Sequence, residues 1–452
     1  MKRTISLTGT LLASLWLGVG CAGDSDDDMP MDTSVIPEET GTPDPEETAA
    51  TDTSNMQTDP KVVLAFQNIT VLRFGPDGTL YVADSGDGTV SALTPPASSN
   101  ADAKLGYNLR NLDGEIADVL GTTSANLRIK DLAVHPMTRE AYLAVSRVSD
   151  DAYASAIVVI NQAGDIRLLD PDLEVDATVV VPFAPTDEFF FYGEFPSRDL
   201  SFTDLEVYDG QLIIAGMSNA DFASTLWTTP LPFSGVPTVT TTEIYHAIHA
   251  QLETRAPIRT MAVMDLDGTD YVVAAYTCTP LVVFPIADLV DGTEVRGKTI
   301  GELGYGNTPG DMVTFTTTDA EGGPIDALFV QNKNQGGQVL FKPAIEAATA
   351  APGLSEPVGI GTKVDLGAVE PPMTGIIHLA DQDPGRLLAI RRDIDQGDLE
   401  LVSFLKGVYF RLSDFQSEYE VPNYVYPPEQ EPIRQFQNML KIEEGYPEYV
   451  SK

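Results

Sequence analysis

The stretch ITVLRFGPDGTLYVADSGDGTVSAL, residues 69–93, decides the fold. It reads as a short apolar strand, a Gly/Pro/Asp turn, a second strand LYVA, and a Gly/Asp loop leading to a third strand. Asp-Gly pairs supply the backbone that tight turns between strands need. The unbroken apolar run LYVA suits a strand covered on both faces. The unit recurs as IKDLAVHPMTREAYLAVSRVSDDAYASAIVVI from Ile129, FTDLEVYDGQLIIAGMSNADFASTLWTTPLPF from Phe202 and IRTMAVMDLDGTDYVVAAYTCTPLVVFPI from Ile258. PGDMVTFTTTDAEGGPIDALFVQNKNQGGQVLF follows from Pro309, and MTGIIHLADQDPGRLLAIRRDIDQGDLELVSFL from Met373. The copies start 51 to 73 residues apart, room for four strands and their loops, which is the spacing of propeller blades. The expected fold is all-β, a six-bladed β-propeller over residues 61–415, with seven blades the alternative if residues 170–198 hide another. Closure is expected from strand KVVLAFQ, residues 61–67, pairing onto the last blade. Residues 416–452, rich in Pro and Tyr, are expected to pack irregularly on the outside.

The chain begins MKRTISLTGTLLASLWLGVGC. Two basic residues, a short uncharged apolar run and small residues at its end read as an export signal over residues 1–20. With cysteine next, the segment resembles a bacterial lipoprotein signal, which would make Cys21 the acylated first residue. Residues 21–60 are acidic, lack Lys, Arg and aromatic residues, and are rich in Pro, Ser and Thr. Such a segment cannot bury enough apolar surface to order itself, so it is expected to be a disordered tether. Together these features predict an exported, lipid-anchored protein of the bacterial cell envelope, periplasmic or on the cell surface, touching membrane only through its lipid.

The formal net charge is -40. Removing Lys2 and Arg3 gives -42, and removing the 12 acids of residues 22–60 leaves -30 on the rest. A surface this negative argues against nucleic acid and anionic lipid as partners, which require a basic footprint, and favours cations, neutral sugars or basic proteins. With Cys21 acylated, Cys278 has no cysteine left to pair with.

The first unit's FGPDGTLYVADSGDGTVSAL resembles blades of NHL-repeat and gluconolactonase-like propellers. EIYHAIHAQLET and AAYTCTPLVVFPIADL are similar to segments of exported bacterial propellers of uncharacterised activity. The gluconolactonase-like resemblance implies a divalent metal at the central channel that activates water on a lactone. Asp131, Asp204 and Asp311 are the candidates for its aspartate; its early glutamate has no counterpart at Val71.

Aligning the units stacks Val71, Asp131, Asp204, Thr260, Asp311 and Gly375 near the start of each innermost strand. Three aspartates at the top of one channel would raise each other's pKa unless a cation intervened, and carboxylates suit Ca²⁺ or another divalent ion. The loops sharing that top face offer Ser218, Asn219, Asp221, Arg255, Arg259, Tyr276, Asn332 and Arg391 as ligand contacts. A second metal candidate is EIYHAIHAQLE, residues 243–253. On a strand His246 and His249 would face opposite ways; on a helical turn His246, His249 and Glu253 would share a face, and Cys278 could complete a Zn or Cu site. The function expected is a binding scaffold for a protein or saccharide. The alternative is a metal-dependent hydrolase of the lactonase type or a quinone- or copper-dependent oxidoreductase.

Overall fold

The computed structural model describes residues 66–96, 106–149, 152–170, 172–185, 190–191, 195–304, 306–319, 322–393, 397–414, 425, 427–446 and 450. The expected signal and tether, and most of the expected closing strand, lie outside these residues. Six small sheets form a ring, a six-bladed propeller. Blade 1 opens with Ile69–Phe74, Leu80–Asp84 and Thr89–Leu93, and blade 2 is Leu127–Val134, Ala141–Ser149, Ala152–Ile160 and Ile166–Leu168. Blade 3 comprises Asp204–Tyr208, Gln211–Met217, Ser224–Pro230 and Thr238–His246, with Gln251–Glu253 folded back along the last. Blade 4 is Ile258–Leu266, Thr269–Tyr276, Pro280–Pro285 and Lys298–Glu302. Blade 5 has Pro309–Thr318, Pro324–Asn332 and Gln338–Phe341, and blade 6 has Ile376–Asp383, Arg386–Arg392 and Leu399–Leu405.

The ring does not follow chain order. The outermost strand of blade 1 is Val175–Val180, which arrives only after blade 2 is complete. The outermost strand of blade 6 is Asn108–Leu109, borrowed from the segment between blades 1 and 2. Among the described residues it is this edge that pairs onto the last blade; of the expected closing strand, residues 61–65 lie outside them. Residues 170–198 therefore hold no seventh blade among those described; they complete blade 1 and add the short pair Phe190–Phe191 with Phe195–Pro196.

Six apolar clusters fill the six seams and fix the order around the ring as blades 3, 1, 2, 6, 5, 4. Val71 and Tyr81 of blade 1 pack with Leu205 and Ile214 of blade 3. Leu72 and Val82 turn the other way, onto Tyr142 and Val159 of blade 2. Leu132 and Leu143 of blade 2 meet Leu388 and Ile390 of blade 6. The other three clusters join blade 6 to 5, 5 to 4, and 4 to 3. Alternate side chains of each strand thus serve opposite seams, which explains the continuous apolar runs in the sequence.

Near the top of the channel, five of the six innermost strands carry a bulge at matching places. Each bulge re-aims one side chain toward the axis. The register puts Val71, Asp131, Asp204 and Thr260 opposite alanines of their second strands, and His378 opposite Ile390. His378, not Gly375, is therefore the blade 6 member of the column. The sequence alignment set Gly375 there because the blade 6 unit starts three residues early; matching IHL to KDL and TDL gives the true register.

The column ties the blades together. Asp131 Oδ2 accepts the Leu72 amide of blade 1 at 2.6 Å. Asp204 Oδ2 accepts the Met261 amide of blade 4 at 2.7 Å and the Thr260 hydroxyl at 2.9 Å. Asp311 Oδ2 accepts the Leu379 amide of blade 6 at 2.7 Å. Three aspartates latch six blades into the pairs 2–1, 3–4 and 5–6 through charge-assisted hydrogen bonds.

Beyond the ring, the expected irregular tail includes a helix, Glu431–Glu443. Leu440 is its buried anchor, and Ile433, Phe436 and Leu440 follow helical spacing that the Pro- and Tyr-rich composition obscured. Among the described residues no helix is long and apolar enough to cross a membrane.

Asp204→Ala strips the Met261 amide and Thr260 hydroxyl of their acceptor and is expected to cost about 1–3 kcal/mol in urea unfolding. A change within about 0.5 kcal/mol, the range of ordinary surface substitutions, would contradict the latch.

Candidate functional site

At the top of the channel the innermost strands leave a cavity of about 1160 Å³. Its floor holds Asp131, Asp204, Asp311 and His378, and its walls include the loops around residues 199–204, 308–311, 331–337 and 373–378. Gly216 helps place the first of these loops: a Cβ there would lie 1.8 Å from the Ser201 carbonyl oxygen, so only glycine lets the loop cross so close.

Asp131, Asp311 and His378 each offer a ligand atom within 4.8 Å of the others. Asp204 stands outside this group, so the three aspartates do not converge on one point. His378 Nδ1 lies 3.2 Å from Asp311 Oδ2. Burial lowers the His378 pKa, but the charge and hydrogen bond of Asp311 and the charge of Asp131 outweigh it and leave it raised. Asp131 is pushed up to about 7 by burial and by the Asp311 charge, against the opposing pull of His378 and the Leu72 amide. Burial also raises Asp204, with Arg73 pulling it back. With one oxygen of each aspartate given to a neighbouring amide and an imidazole between two of them, the floor differs from the all-oxygen cage of a calcium site.

Five cations line the same cavity: Arg128, Lys130, Arg259, Lys333 and Arg392. The chain has only 27 Lys and Arg against 67 Asp and Glu, so this grouping runs counter to its overall charge. Arg259 lies beside the Asp311 charge, and its Nε is buried without a hydrogen-bond partner among the described residues. Asn332, Asn334 and Gln335 add amides to the wall.

Of the top-face residues expected from sequence, Arg259 and Asn332 line the cavity. Ser218 and Tyr276 are buried and spent on internal hydrogen bonds, to Thr225 at 2.8 Å and Thr242 at 3.0 Å. Arg391 is also buried, clamped by Glu400 at 3.0 Å and bidentately by Asp414 at 2.8 and 2.6 Å. The side chains of these three are committed to contacts within the protein. Asn219, Asp221 and Arg255 are exposed and lie away from the cavity. Arg128, Lys130 and Lys333 escaped the sequence reading; their adjacency to the Asp131 position and to the loop at 332–337 was the available signal.

The second expected cluster forms, by a route other than a helix. The outermost strand of blade 3 ends at His246, a turn covers residues 247–250 with Ala250 at φ 55°, and Gln251–Glu253 returns antiparallel. The turn folds His249 back over His246, ring centroids 3.8 Å apart. The alternation rule separates residues only while the strand continues, and here it stops at His246. Glu253 Oε1 lies 3.0 Å from His246 Nδ1 and 2.7 Å from His249 Nδ1. His246 Nε2 contacts Thr279 Oγ1 at 3.0 Å, and Thr279 gives its single hydroxyl hydrogen to Glu302. His246 therefore donates from both nitrogens and is an imidazolium. Burial opposes that charge, but hydrogen bonds to Cys278 and Glu253 and the charges of Glu253 and Glu302 raise its pKa to about 9. Burial likewise opposes the Glu253 carboxylate, and the two histidines hold it down at about 2.

No protein-family model and no curated protein sequence matches the chain. Among solved structures, hydrazine synthase of Kuenenia stuttgartiensis is similar over 78% of this chain and 100% of its own, at 11% identity and a TM-score of 0.28. BBS1N in complex with ARL6DN is similar over 75% of this chain and 79% of its own, at 11% identity and a TM-score of 0.29.

His246 binds its proton more tightly folded than unfolded, so its contribution to stability is complete below pH 6.5 and fades as pH rises through about 9. Glu253 is depressed from 4.5, so its contribution is complete above pH 4.5 and fades as pH falls through about 2. The stability difference between the parent protein and His246→Gln, measured by thermal melts, is expected to shrink between pH 6.5 and 9. A difference constant across that range would contradict the imidazolium assignment.

Proposed function

We propose that the protein is a binding propeller that takes an anionic, hydroxyl-rich ligand, such as an acidic oligosaccharide, into the mouth of its channel. The observation that carries this reading is Arg259. A guanidinium with a buried, unpartnered Nε on the wall of a large cavity is a donor awaiting an acceptor. Arg128, Lys130, Lys333 and Arg392 surround it with positive charge, and the amides of Asn332, Asn334 and Gln335 suit hydroxyl groups. Arginine favours planar, bidentate partners, which points to carboxylate or sulfate groups on the ligand.

In the same reading the chain is exported, acylated at Cys21 and held to the cell envelope by residues 21–60. The support is the MKRTISLTGTLLASLWLGVGC opening and the acidic segment that follows. A tether of 39 residues beyond Cys21 spans roughly 35 Å as a flexible coil and more when its charges repel. That reach would present the channel mouth to soluble glycans or to a protein carrying them.

A second reading, hydrolysis, draws on Asp131. A carboxyl with a pKa near 7 beside His378 in an open cavity is poised for proton transfer. Turnover of a lactone or glycan that Asp131→Asn abolishes would establish it.

Calorimetric titration with oligogalacturonate and with a neutral oligosaccharide of equal length tests the binding reading. The acidic ligand is expected to bind more tightly, and Arg259→Ala with Lys333→Ala to weaken it by about tenfold or more, in a salt-sensitive manner. Equal binding of both ligands, or of neither, would overturn it.

A further inference from the structure

The hairpin at the end of blade 3 gathers donors that the channel mouth does not use. We propose that His246, His249 and Cys278, with Glu253 beside them, bind one divalent transition ion of the zinc–copper class across the seam between blades 3 and 4.

The geometry comes first. Each of His246, His249 and Cys278 presents a ligand atom within 4.8 Å of the other two. Bonds of about 2.0–2.3 Å to a tetrahedral ion set its donors roughly 3.3–3.8 Å apart, so shifts of about an ångström close the site. Glu253 Oε1 is already within 3.0 Å of both Nδ1 atoms, placed either to become the fourth ligand or to hold both rings in orientation.

The donor set selects the ion. Two imidazoles, a thiol and one carboxylate form an N/S-dominated group that suits Zn²⁺ or Cu²⁺ and leaves Ca²⁺ and Mg²⁺, which take oxygen, poorly served. On binding, the Cys278 thiol gives up its proton to water and each imidazole offers a ring-nitrogen lone pair to the ion.

The surroundings are built to hold such a site. Glu302 is fully buried behind it and fixes the turn through the Ala247 amide at 2.8 Å and the Thr279 hydroxyl. His246 is fully buried, Cys278 nearly so, and His249 is 27% exposed, leaving one side for the ion to enter. Cys278 adopts φ 79°, a conformation non-glycine residues rarely take, in the loop between the second and third strands of blade 4. The histidines come from blade 3 and the thiol from blade 4, so the ion would staple the outer seam that Asp204 latches near the axis.

The test is metal content. Purified protein, stripped with a chelator and dialysed against equimolar Ca²⁺, Mg²⁺, Zn²⁺ and Cu²⁺, is expected to retain close to one Zn or Cu per chain by mass spectrometry. His249→Ala and Cys278→Ser are expected to retain less than about a tenth of that. His249 sits in an exposed turn, so its variant keeps the fold, and circular dichroism verifies that. Co²⁺ in place of the native ion is expected to give a thiolate-to-metal charge-transfer band that Cys278→Ser removes. Zn²⁺ is expected to raise the melting temperature by at least about 2 °C. Failure of the parent protein to retain Zn or Cu, or equal retention in both variants, would overturn the proposal.

Discussion

The interaction on which the rest of the structure depends is a carboxylate reaching across a seam to a neighbouring backbone amide. A propeller blade is a small sheet, apolar on both faces, and dispersion between such faces is non-directional. Apolar burial holds the seams closed but leaves the blades free to slide. Asp131, Asp204 and Asp311 remove that freedom at three of the six seams, where each accepts one named amide from the adjacent innermost strand. Bulges beside Asp131 and Asp311 open the ladder at the same level, while Asp204 reaches its amide from an unbroken strand. One local irregularity, repeated around the axis, thus sets blade register and hollows out the channel mouth.

Those latches also shape the chemistry available there. Oxygens committed to amides cannot wrap a hard cation, and carboxyls buried beside one another hold protons near neutrality, as Asp131 does. Burial raises Asp131 and Asp204, and five cations share the cavity lining with the aspartates. A strongly acidic chain in this way gathers positive charge at the mouth of its channel. At the outer edge the opposite logic applies: Glu253 is held down at about 2 by the two histidines beside it.

Much of the architecture was legible in the sequence, because each blade repeats an apolar strand, a turn and an apolar strand at a spacing no helix would produce. The three aspartates were legible too, standing before Leu or Met in KDL, TDL and GDM. His378 was missed at the same place in IHL, since a repeat boundary drawn at Met373 shifts the column by three residues. The ring order was out of reach. Nothing local in VDATVVV says that it returns to blade 1, or that Asn108–Leu109 completes blade 6, because edge pairings join segments whose patterns match many partners. The histidine cluster had its members right and its backbone wrong: the choice was framed as strand or helix, and a four-residue turn gathers the residues instead.

Residue-resolved hydrogen exchange on the folded chain tests the central claim most directly. The amides of Leu72, Met261 and Leu379 follow bulges in their innermost strands, where amides without an acceptor would exchange faster. The latch account predicts that all three are strongly protected, and that Asp131→Ala exposes Leu72 while leaving Met261 and Leu379 slow. Fast exchange at all three in the parent protein, or a uniform loss of protection in the variant, would contradict it.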